Sequence, residues 1–266
     1  MIMQYKYVAV ILNRNLGRKC DDLRNELLEI GFSEIVIVDS SPDPILQSEY
    51  ITIKANDANS IKRGLRINRG FNLGINYAVK NYNPDWILCL PVDSQIIKID
   101  LKNFEKEAFF YPKIVAFSMI NPNHPYLSLL KSNIGLVWNI EEGPIFLKSS
   151  FLKNFEYKNK ITLFDNHNFR SYLSFKEIAL RIYGNDKSIG IYKSFLIEER
   201  EEYLLNFAEL MKTESYSLNK ELLIKEGEIW LRQKYGLFDR WSFETVLRLI
   251  FDEFLLRNPE YKKIAL

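Results

Sequence analysis

The sequence predicts an α/β fold, with a mostly parallel sheet flanked by helices and an all-helical C-terminal extension. Strand and helix patterns alternate through the first 120 residues of the 266-residue chain. The strands are near-continuous apolar runs, which is typical of parallel strands covered on both faces. From Glu198 onward only helical patterns remain. We therefore expect one domain over residues 1–196 and a helical extension over residues 197–266.

Short apolar runs and amphipathic segments define the elements of the first half. Gly31 and the pair Asn83-Pro84 supply helix stop signals. The patterns predict strands at Tyr7–Leu12, Ile35–Val38, Tyr50–Lys54 and Trp86–Leu90, and helices at Cys20–Ile30 and Phe71–Asn81.

The second half is more mixed and becomes helical at its end. The patterns predict strands at Ile114–Met119, Pro144–Leu147 and Ile189–Tyr192, and helices at Tyr172–Tyr183, Glu198–Lys212, Leu218–Tyr235 and Phe243–Leu256. The last helix has a wide apolar face, so we expect it to pack on the α/β domain or on a second subunit of a homo-oligomer. Membrane-surface attachment is the lesser alternative, because its polar face is not strongly basic.

Composition excludes several classes of protein. The chain has 36 basic and 34 acidic residues, a formal charge of +2, which argues against a general nucleic-acid binder. Two cysteines, Cys20 and Cys89, lie outside any metal-ligand or disulfide pattern. The apolar runs are shorter than the roughly 18 residues that a membrane span needs. We expect a cytoplasmic protein with at most peripheral contact at the inner membrane face.

Polar side chains follow three of the predicted strands. Asn13, Asp39 and Asp93 stand at their carboxyl ends, where parallel sheets bind ligands. Asp39, with Asn13 and Ser40 nearby, is placed to accept hydrogen bonds from a nucleotide base or ribose. The alternative is that Asp39 only shapes an Asx turn, since Asp-Ser-Ser-Pro is also a turn sequence.

Asp93 is the candidate metal ligand. A carboxylate at the end of a buried strand suits Mg²⁺ or Mn²⁺, which keep waters and use few protein ligands. The cation would stabilise a departing diphosphate. The local motif is Asp93-Ser94-Gln95, in which an amide replaces a second carboxylate, so we expect a weakly bound or dispensable metal. A capped turn is the alternative.

Four segments, in this order, resemble the GT-A glycosyltransferases, particularly the family-two group of bacterial inverting enzymes. They are Val8–Leu12, Val36–Asp43, Asn68–Ile75 with Ala78 after it, and Trp86–Gln95, and Trp230–Gly236 resembles a later segment faintly. The resemblance implies a Rossmann-like GT-A fold and transfer of a sugar from a nucleoside diphosphate donor to a hydroxyl of a glycan or lipid-linked glycan. Inversion and a setting in surface polysaccharide synthesis are implied by the resemblance alone.

The segment before and within the second motif offers donor-binding groups. Arg63, Arg66 and Arg69 would share one face of a helix, and arginine forks suit phosphate oxygens. A solvated basic face is the alternative. Asn72 and Gly74 would let the backbone approach the donor closely, although Gly74 can equally serve tight helix–strand packing.

The catalytic base is the point at which the sequence departs from the family. The resemblance implies an acidic pair that opens a helix, and Ser174 and Phe175 occupy its place. Glu177 and Asp165 are the candidate bases, and Glu141-Glu142 is a third. Each can also be an ordinary surface carboxylate.

Two other functions remain open on the sequence. A sugar-phosphate nucleotidyltransferase would carry a basic, glycine-containing loop after its first strand, which Asn13–Lys19 imitates in part. A catalytically altered protein that binds sugar nucleotides or glycans is consistent with the absent acidic pair. The first would release pyrophosphate from a nucleoside triphosphate, and the second would bind a donor without turnover.

Overall fold

A computed structural model describes residues 6–55, 67–141, 143–168, 170–199 and 216–266. Within these residues the main sheet has nine strands: β1 (Tyr7–Asn13), β2 (Glu34–Asp39), β3 (Ile53–Lys54), β4 (Trp86–Pro91), β5 (Ser94–Ile99), β6 (Ile114–Ile120), β7 (Ile134–Val137), β8 (Ile145–Lys148) and β11 (Ser188–Glu199). A separate hairpin consists of β9 (Glu156–Tyr157) and β10 (Lys160–Ile161).

The sheet is mixed but runs mostly one way. Its order is β3-β2-β1-β4-β8-β6-β11-β5, with β7 paired to β11. Strands β1, β2, β3, β4, β6 and β11 share one direction, and β5, β7 and β8 oppose it. Helices flank this sheet and follow it at the C-terminal end. The predicted α/β fold class is confirmed.

The described helices are α1 (Gly17–Ile30), α2 (Ile67–Tyr82), α3 (Leu101–Ala108), α4 (Pro125–Leu129), α5 (Ser149–Leu152), α6 (Ser174–Gly184), α7 (Tyr216–Tyr235) and α8 (Arg240–Arg257). Short 3-10 helices lie at Pro44–Leu46, Lys153–Phe155 and Pro259–Ile264. Across the described ranges, no helix combines the length and apolarity that crossing a bilayer requires.

The parallel centre of the sheet sets the position of the candidate site. β1 pairs with β2 on one side and with β4 on the other, both in parallel. Asn13 lies opposite Asp39, and Leu12 lies opposite Pro91. Since all three strands end at the same level, the residues that follow them meet at one edge.

The C-terminal helices pack on the α/β part of the chain. Leu247, Phe251 and Phe254 of α8 belong to the main hydrophobic core, where the Tyr183 ring contacts Phe251 with centroids 5.3 Å apart. A smaller cluster joins α7 and α8 to the residue before α6, and its members are Leu173, Trp230, Leu231 and Phe243. Leu247, Phe251 and Phe254 of α8 are therefore buried against the α/β part of the chain, whereas Trp241, Leu249 and Leu256 of the same helix are exposed.

Several boundaries differ from the sequence expectations. Glu198 and Glu199, expected to open a helix, belong to β11, where they pair with Gln95 and Ser94. The predicted helix is therefore wrong at its first two residues, because pairing with β5 overrides the local pattern. Residues 200–212 of that helix lie outside the described residues. Strands β5 and β7 had no counterpart in the sequence analysis.

Candidate functional site

Three polar side chains meet at the carboxyl edge of the central strands. Asn13 and Asp39 end β1 and β2, and Asp93 follows β4, whose end is tied to β1 by the bond from Val92 N to Leu12 O at 3.0 Å. Asn13, Asp39 and Asp93 are 2%, 1% and 4% exposed. Adjacent strands lie about 4.8 Å apart, so the ends of β2 and β4 are about 10 Å apart across β1. The edge therefore holds two buried carboxyl groups on the two strands that flank β1.

Asp39 is surrounded by neutral hydrogen-bond donors. Its Oδ2 accepts from Asn13 Nδ2 at 2.7 Å and from Ser48 N at 2.9 Å, and its Oδ1 accepts from Ser41 N at 2.8 Å. The last bond forms the Asx turn that the sequence allowed as the alternative. Ser40 is buried beside it and donates its N–H to Asn13 O at 3.0 Å. Asp39 thus fixes the course of the loop after β2.

A cleft of about 600 Å³ opens beside this edge, at the start of α1. The N-cap residue of α1, Leu16, makes no side-chain capping bond. A helix N-terminus presents backbone N–H groups and a partial positive charge, both suited to anions. The cleft is lined by Asn15, Leu16, Gly17, Arg18, Lys19, Asp22, Leu23, Glu26, Ile45, Leu46, Ser94 and Gln95.

Gly17 is a position in this cleft where only glycine fits. A Cβ atom there would lie 2.1 Å from the backbone oxygen of Gln47, closer than atoms can approach. The 3-10 helix Pro44–Leu46 therefore packs directly against the start of α1. The bond from Ser48 Oγ to Asp21 Oδ1 at 2.5 Å holds the same two segments together. One wall of the cleft is consequently rigid.

The side chains that follow Asp93 supply oxygen atoms, the type of ligand that a hard cation prefers. In the described part of the chain, Ser94 Oγ and Gln95 Oε1 are buried and have no hydrogen-bond partner. The described part of the chain contains no cluster of three or more His, Cys, Asp or Glu side chains able to hold a metal. Mg²⁺ and Mn²⁺ are commonly held by one or two carboxylates together with waters and substrate phosphates. The residues present thus suit a cation carried largely by a diphosphate.

Three asparagines of α2 clamp the segment that precedes α6. Asn68, Asn72 and Asn76 recur at every fourth residue and so share one face of the helix. Asn72 Nδ2 donates to Phe164 O at 2.7 Å, and Phe164 N donates to Asn72 Oδ1 at 3.1 Å. Asn76 makes the same pair of bonds with the main chain of Ile161, both at 2.7 Å. Both functional groups of the Asn72 side chain are therefore engaged in this clamp.

Two of the remaining donor candidates, Gly74 and Arg69, lie on α2. At Gly74 a Cβ atom would lie 2.2 Å from Val10 Cγ1 and 3.2 Å from Val38 Cγ2, which matches the packing alternative for this glycine. Arg69 is exposed on the surface of α2. Arg63 and Arg66 lie outside the described residues.

The two candidate bases are brought together by a lysine of α7. Lys234 Nζ lies 2.6 Å from Asp165 Oδ2 and 2.5 Å from Glu177 Oε1. The Glu177 side chain is fully buried, whereas 36% of the Lys234 side chain is exposed. Trp230 Nε1 donates to Asp165 Oδ2 at 3.0 Å, and Tyr235 OH donates to Glu177 Oε1 at 2.8 Å. We call these five residues the lysine-bridged cluster.

The surroundings of the cluster shift two pKa values. Burial by itself would raise the pKa of Asp165, but the hydrogen bonds from Lys234, Trp230 and the His167 backbone outweigh it and hold that pKa well below its usual range. Burial, followed by the proximity of Glu177, raises the pKa of Tyr235 far above its usual value. Asp165 is thus ionised and Tyr235 is a neutral hydrogen-bond donor.

The cluster lies at the same edge as Asp39 and Asp93. Helix α2 connects parallel strands and so runs back along the sheet, which places its first turn at their carboxyl ends. On that turn, Asn68 Nδ2 donates to Asp165 O at 2.8 Å and to Asn168 O at 3.0 Å. One side of the sheet edge therefore carries the cleft and the other carries the lysine-bridged cluster.

The third base candidate lies elsewhere on this edge. Glu141 is exposed in part, its carboxylate is 3.8 Å from His124 Nε2, and its backbone N–H donates to Ser118 Oγ at 3.1 Å. Glu142 lies outside the described residues. Sequence reasoning assigned no role to Lys234 or Tyr235, because their partners are far away along the chain. Lys234 is 69 residues from Asp165 and 57 from Glu177, and Tyr235 is 58 residues from Glu177. The only signal was the Trp230–Gly236 segment.

Comparisons with known proteins give distant structural likenesses. No protein family and no curated protein matches the sequence. Among matching solved structures, A197 from STIV is 13% identical with a TM-score of 0.42, over 73% of this chain and 85% of that one. The mannosyltransferase PcManGT from Pyrobaculum calidifontis, in complex with GDP-Man and Mn²⁺, is 10% identical with a TM-score of 0.46, over 72% of this chain and 57% of that one. Neither likeness identifies a function for this chain.

Proposed function

We propose that the protein is a glycosyltransferase that takes its sugar from a nucleoside diphosphate donor. One observation carries the proposal: buried polar side chains at the ends of β1, β2 and β4 adjoin a cleft at a helix N-terminus, whose lining includes Arg18 and Lys19 as well as Asp22 and Glu26. Ligands of α/β sheets bind beyond the carboxyl ends of the strands. A cleft of about 600 Å³ is also of the size that small-molecule sites usually have.

The donor is expected to span the cleft. Arg18, Lys19 and the N-terminus of α1 would face its diphosphate, since arginine forks and helix N-termini both bind phosphate oxygens. Asn13, Ser40 and Asp39 would border its nucleoside. A carboxylate has about four acceptor positions, and three of those on Asp39 are used, so one is left for a ribose or base.

A divalent cation, when bound, would offset the charge of the leaving diphosphate. Asp93, Ser94 and Gln95 are the residues that would hold it, as oxygen ligands. With one carboxylate in this set, the protein contributes little affinity of its own, and Mn²⁺ or Mg²⁺ would arrive with the donor.

The transfer itself is a displacement at the anomeric carbon. The acceptor hydroxyl oxygen bonds to that carbon, the bond to the diphosphate oxygen breaks, and its electron pair leaves with the diphosphate. The hydroxyl proton passes to a carboxylate, for which Glu177 and Asp165 are the candidates at this edge. A single displacement inverts the sugar. We extend the proposal to a glycan or lipid-linked glycan acceptor in surface polysaccharide synthesis.

A thermal-shift screen tests donor binding. UDP-, GDP- and dTDP-sugars, with a CMP-sugar as the monophosphate comparison, are added with and without Mn²⁺. A donor that binds the native state raises Tm. Asp93→Asn should remove the Mn²⁺-dependent part of the rise. Asp85→Asn is the matched control, because Asp85 bonds Lys6 N at 2.8 Å at the opposite end of β4. A Mn²⁺-dependent rise that survives Asp93→Asn would remove Asp93 from the metal role.

Two observations favour two other functions, and assays with the same donors distinguish them. The cleft lies on the Asn13–Lys19 turn, which favours a sugar-phosphate nucleotidyltransferase. Pyrophosphate release from a nucleoside triphosphate and a sugar phosphate would support that enzyme. The engagement of both candidate bases by Lys234 favours a protein that binds sugar nucleotides without turnover. A Tm rise with no release of nucleoside diphosphate would support this second alternative.

A further inference from the structure

One carboxylate oxygen in the lysine-bridged cluster accepts no hydrogen bond from the part of the chain that the structure describes. Glu177 is fully buried, and its Oε1 accepts from Lys234 Nζ and Tyr235 OH. Within the described residues its Oε2 is buried and accepts no hydrogen bond. An unsatisfied buried acceptor costs about 1–3 kcal/mol, and more when it is charged. Such an atom in a native structure is normally satisfied by a bound water, an ion or a group of a substrate.

Asp165, in contrast, has a hydrogen-bond donor on each of its two oxygen atoms. Its Oδ1 accepts from His167 N at 2.8 Å, and its Oδ2 accepts from Trp230 Nε1 at 3.0 Å and Lys234 Nζ at 2.6 Å. A general base needs a free lone pair within reach of the proton that it removes. Of the two carboxylates that Lys234 joins, only Glu177 has an oxygen atom that accepts no hydrogen bond from the described residues.

The backbone that carries Glu177 is also held in an uncommon conformation. Ser171 and Leu173, just before α6, have φ values of 64° and 54°, in the left-handed region. Asn168 Nδ2 donates to Tyr172 O at 2.7 Å and to Ser174 Oγ at 3.2 Å, which fixes this turn. Residues in this region cost on the order of 1–3 kcal/mol each and persist where the surroundings hold them. The first turn of α6 is therefore fixed from both sides.

We infer that Lys234 and Tyr235 of α7 are positioning residues that hold Oε1 of Glu177. Oε2 of the same side chain is then left to accept the proton of the acceptor hydroxyl. Asp165 serves as the second counter-ion of Lys234. This inference rests on the proposed function and chooses between the two candidate bases. It also makes α7, from the predicted extension, a part of the catalytic edge. The Lys234 side chain is 36% exposed, so the cluster lies against the protein surface on that side.

The test uses the donor that the thermal-shift screen selects, with water as the acceptor, and follows the release of nucleoside diphosphate. Glu177→Gln should lower kcat by at least about 100-fold. Lys234→Met should lower kcat by about 100-fold at an unchanged donor KM, because a displaced catalytic group loses its reactive geometry. Lys234→Arg should restore most of that loss. Tyr235→Phe should lower kcat about tenfold, the effect of one hydrogen bond.

The matched control is Lys225→Met, since Lys225 is an exposed lysine of the same helix. A Lys234→Met variant with wild-type kcat would overturn the inference and leave the proposed function standing. Wild-type kcat in Glu177→Gln together with loss in Asp165→Asn would overturn it in the same way. Donor binding without any release would overturn both. Should Lys234→Met fail to fold, the kcat and KM of Tyr235→Phe decide.

Discussion

Two buried carboxylate sites at one sheet edge are satisfied in opposite ways. Asp39 is held by neutral donors, the Asn13 amide and the backbone N–H groups of Ser41 and Ser48. Asp165 and Glu177 instead share a cation, Lys234. The first arrangement leaves a negative charge without a cation in contact, whereas in the second two carboxylates share one ammonium group.

The difference also lies in sequence distance. The partners of Asp39 are 2 to 26 residues away, within one β-α-β unit. Lys234 is 69 residues from Asp165 and 57 from Glu177. A local carboxylate site forms with its turn, whereas the bridged site exists only after α7 has docked. We therefore expect loss of the bridge to cost more stability than a change at Asp39.

The largest effect is expected at Lys234. Lys234→Met leaves a fully buried Glu177 and a mostly buried Asp165 without their cation, and removing one partner of a buried ion pair costs about 3–5 kcal/mol. Partial exposure of Lys234 lowers the expected loss to about 3 kcal/mol. Urea unfolding measures it.

Lys225→Met, on the exposed side of the same helix, should change the unfolding free energy by less than about 0.5 kcal/mol. In an Asp165→Asn background the cost of Lys234→Met should shrink, since one of the two stranded carboxylates is then neutral. Equal costs in both backgrounds would show that the bridge to Asp165 contributes nothing.

Most of the fold was predictable, because its signals are local. The run Tyr7–Leu12 and the run Trp86–Leu90 are apolar throughout, as strands buried on both faces must be, and both are strands. β5 and the second half of β11 were not predictable as strands. Glu198 and Glu199 pair with Gln95 and Ser94, so each segment becomes a strand only through a partner about 100 residues away.

The candidate site, like the fold, was predictable only where its residues are placed by local sequence signals. Residues after strands, such as Asn13, Asp39 and Asp93, could be placed at one edge because parallel strands end together. The role of Asn72 could not be predicted, since its partner Phe164 is 92 residues away and the NxxxNxxxN spacing is equally consistent with a donor contact. Lys234 could not be placed for the same reason. Long-range polar pairs leave no periodic signal.

The second-largest effect on the unfolding free energy is expected at Asp39. Asp39→Asn keeps the shape but turns one carboxylate oxygen into a donor that faces Asn13 Nδ2 and Ser48 N, or Ser41 N. One unsatisfied buried group then costs about 2 kcal/mol, measured by urea unfolding. Asp43→Asn in the same loop is the control, because Asp43 is exposed, caps a short helix, and asparagine caps equally well. A loss as small as that of the control would contradict the described network.

The smallest effect is the pH dependence of the bridged site. The pKa of Asp165 is held below its usual range, so the unfolded chain takes up a proton at higher pH than the folded one. Stability from this group is therefore fully present above about pH 5 and is lost as the pH falls towards the folded value. Relative to pH 7, the loss from Asp165 alone should be on the order of 1 kcal/mol at pH 3.

Comparison with Asp165→Asn isolates this contribution. Asp100, Asp186 and Glu244 also have lowered pKa values, and they act equally in both proteins, so their effects cancel in the difference. Unfolding free energies of wild type and variant should converge as the pH falls from 5 to 3. Curves that stay parallel would mean that Lys234 does not hold the ionised Asp165 in solution. Since the same ammonium group holds Glu177, such a result would also weaken the contrast between the two carboxylate sites.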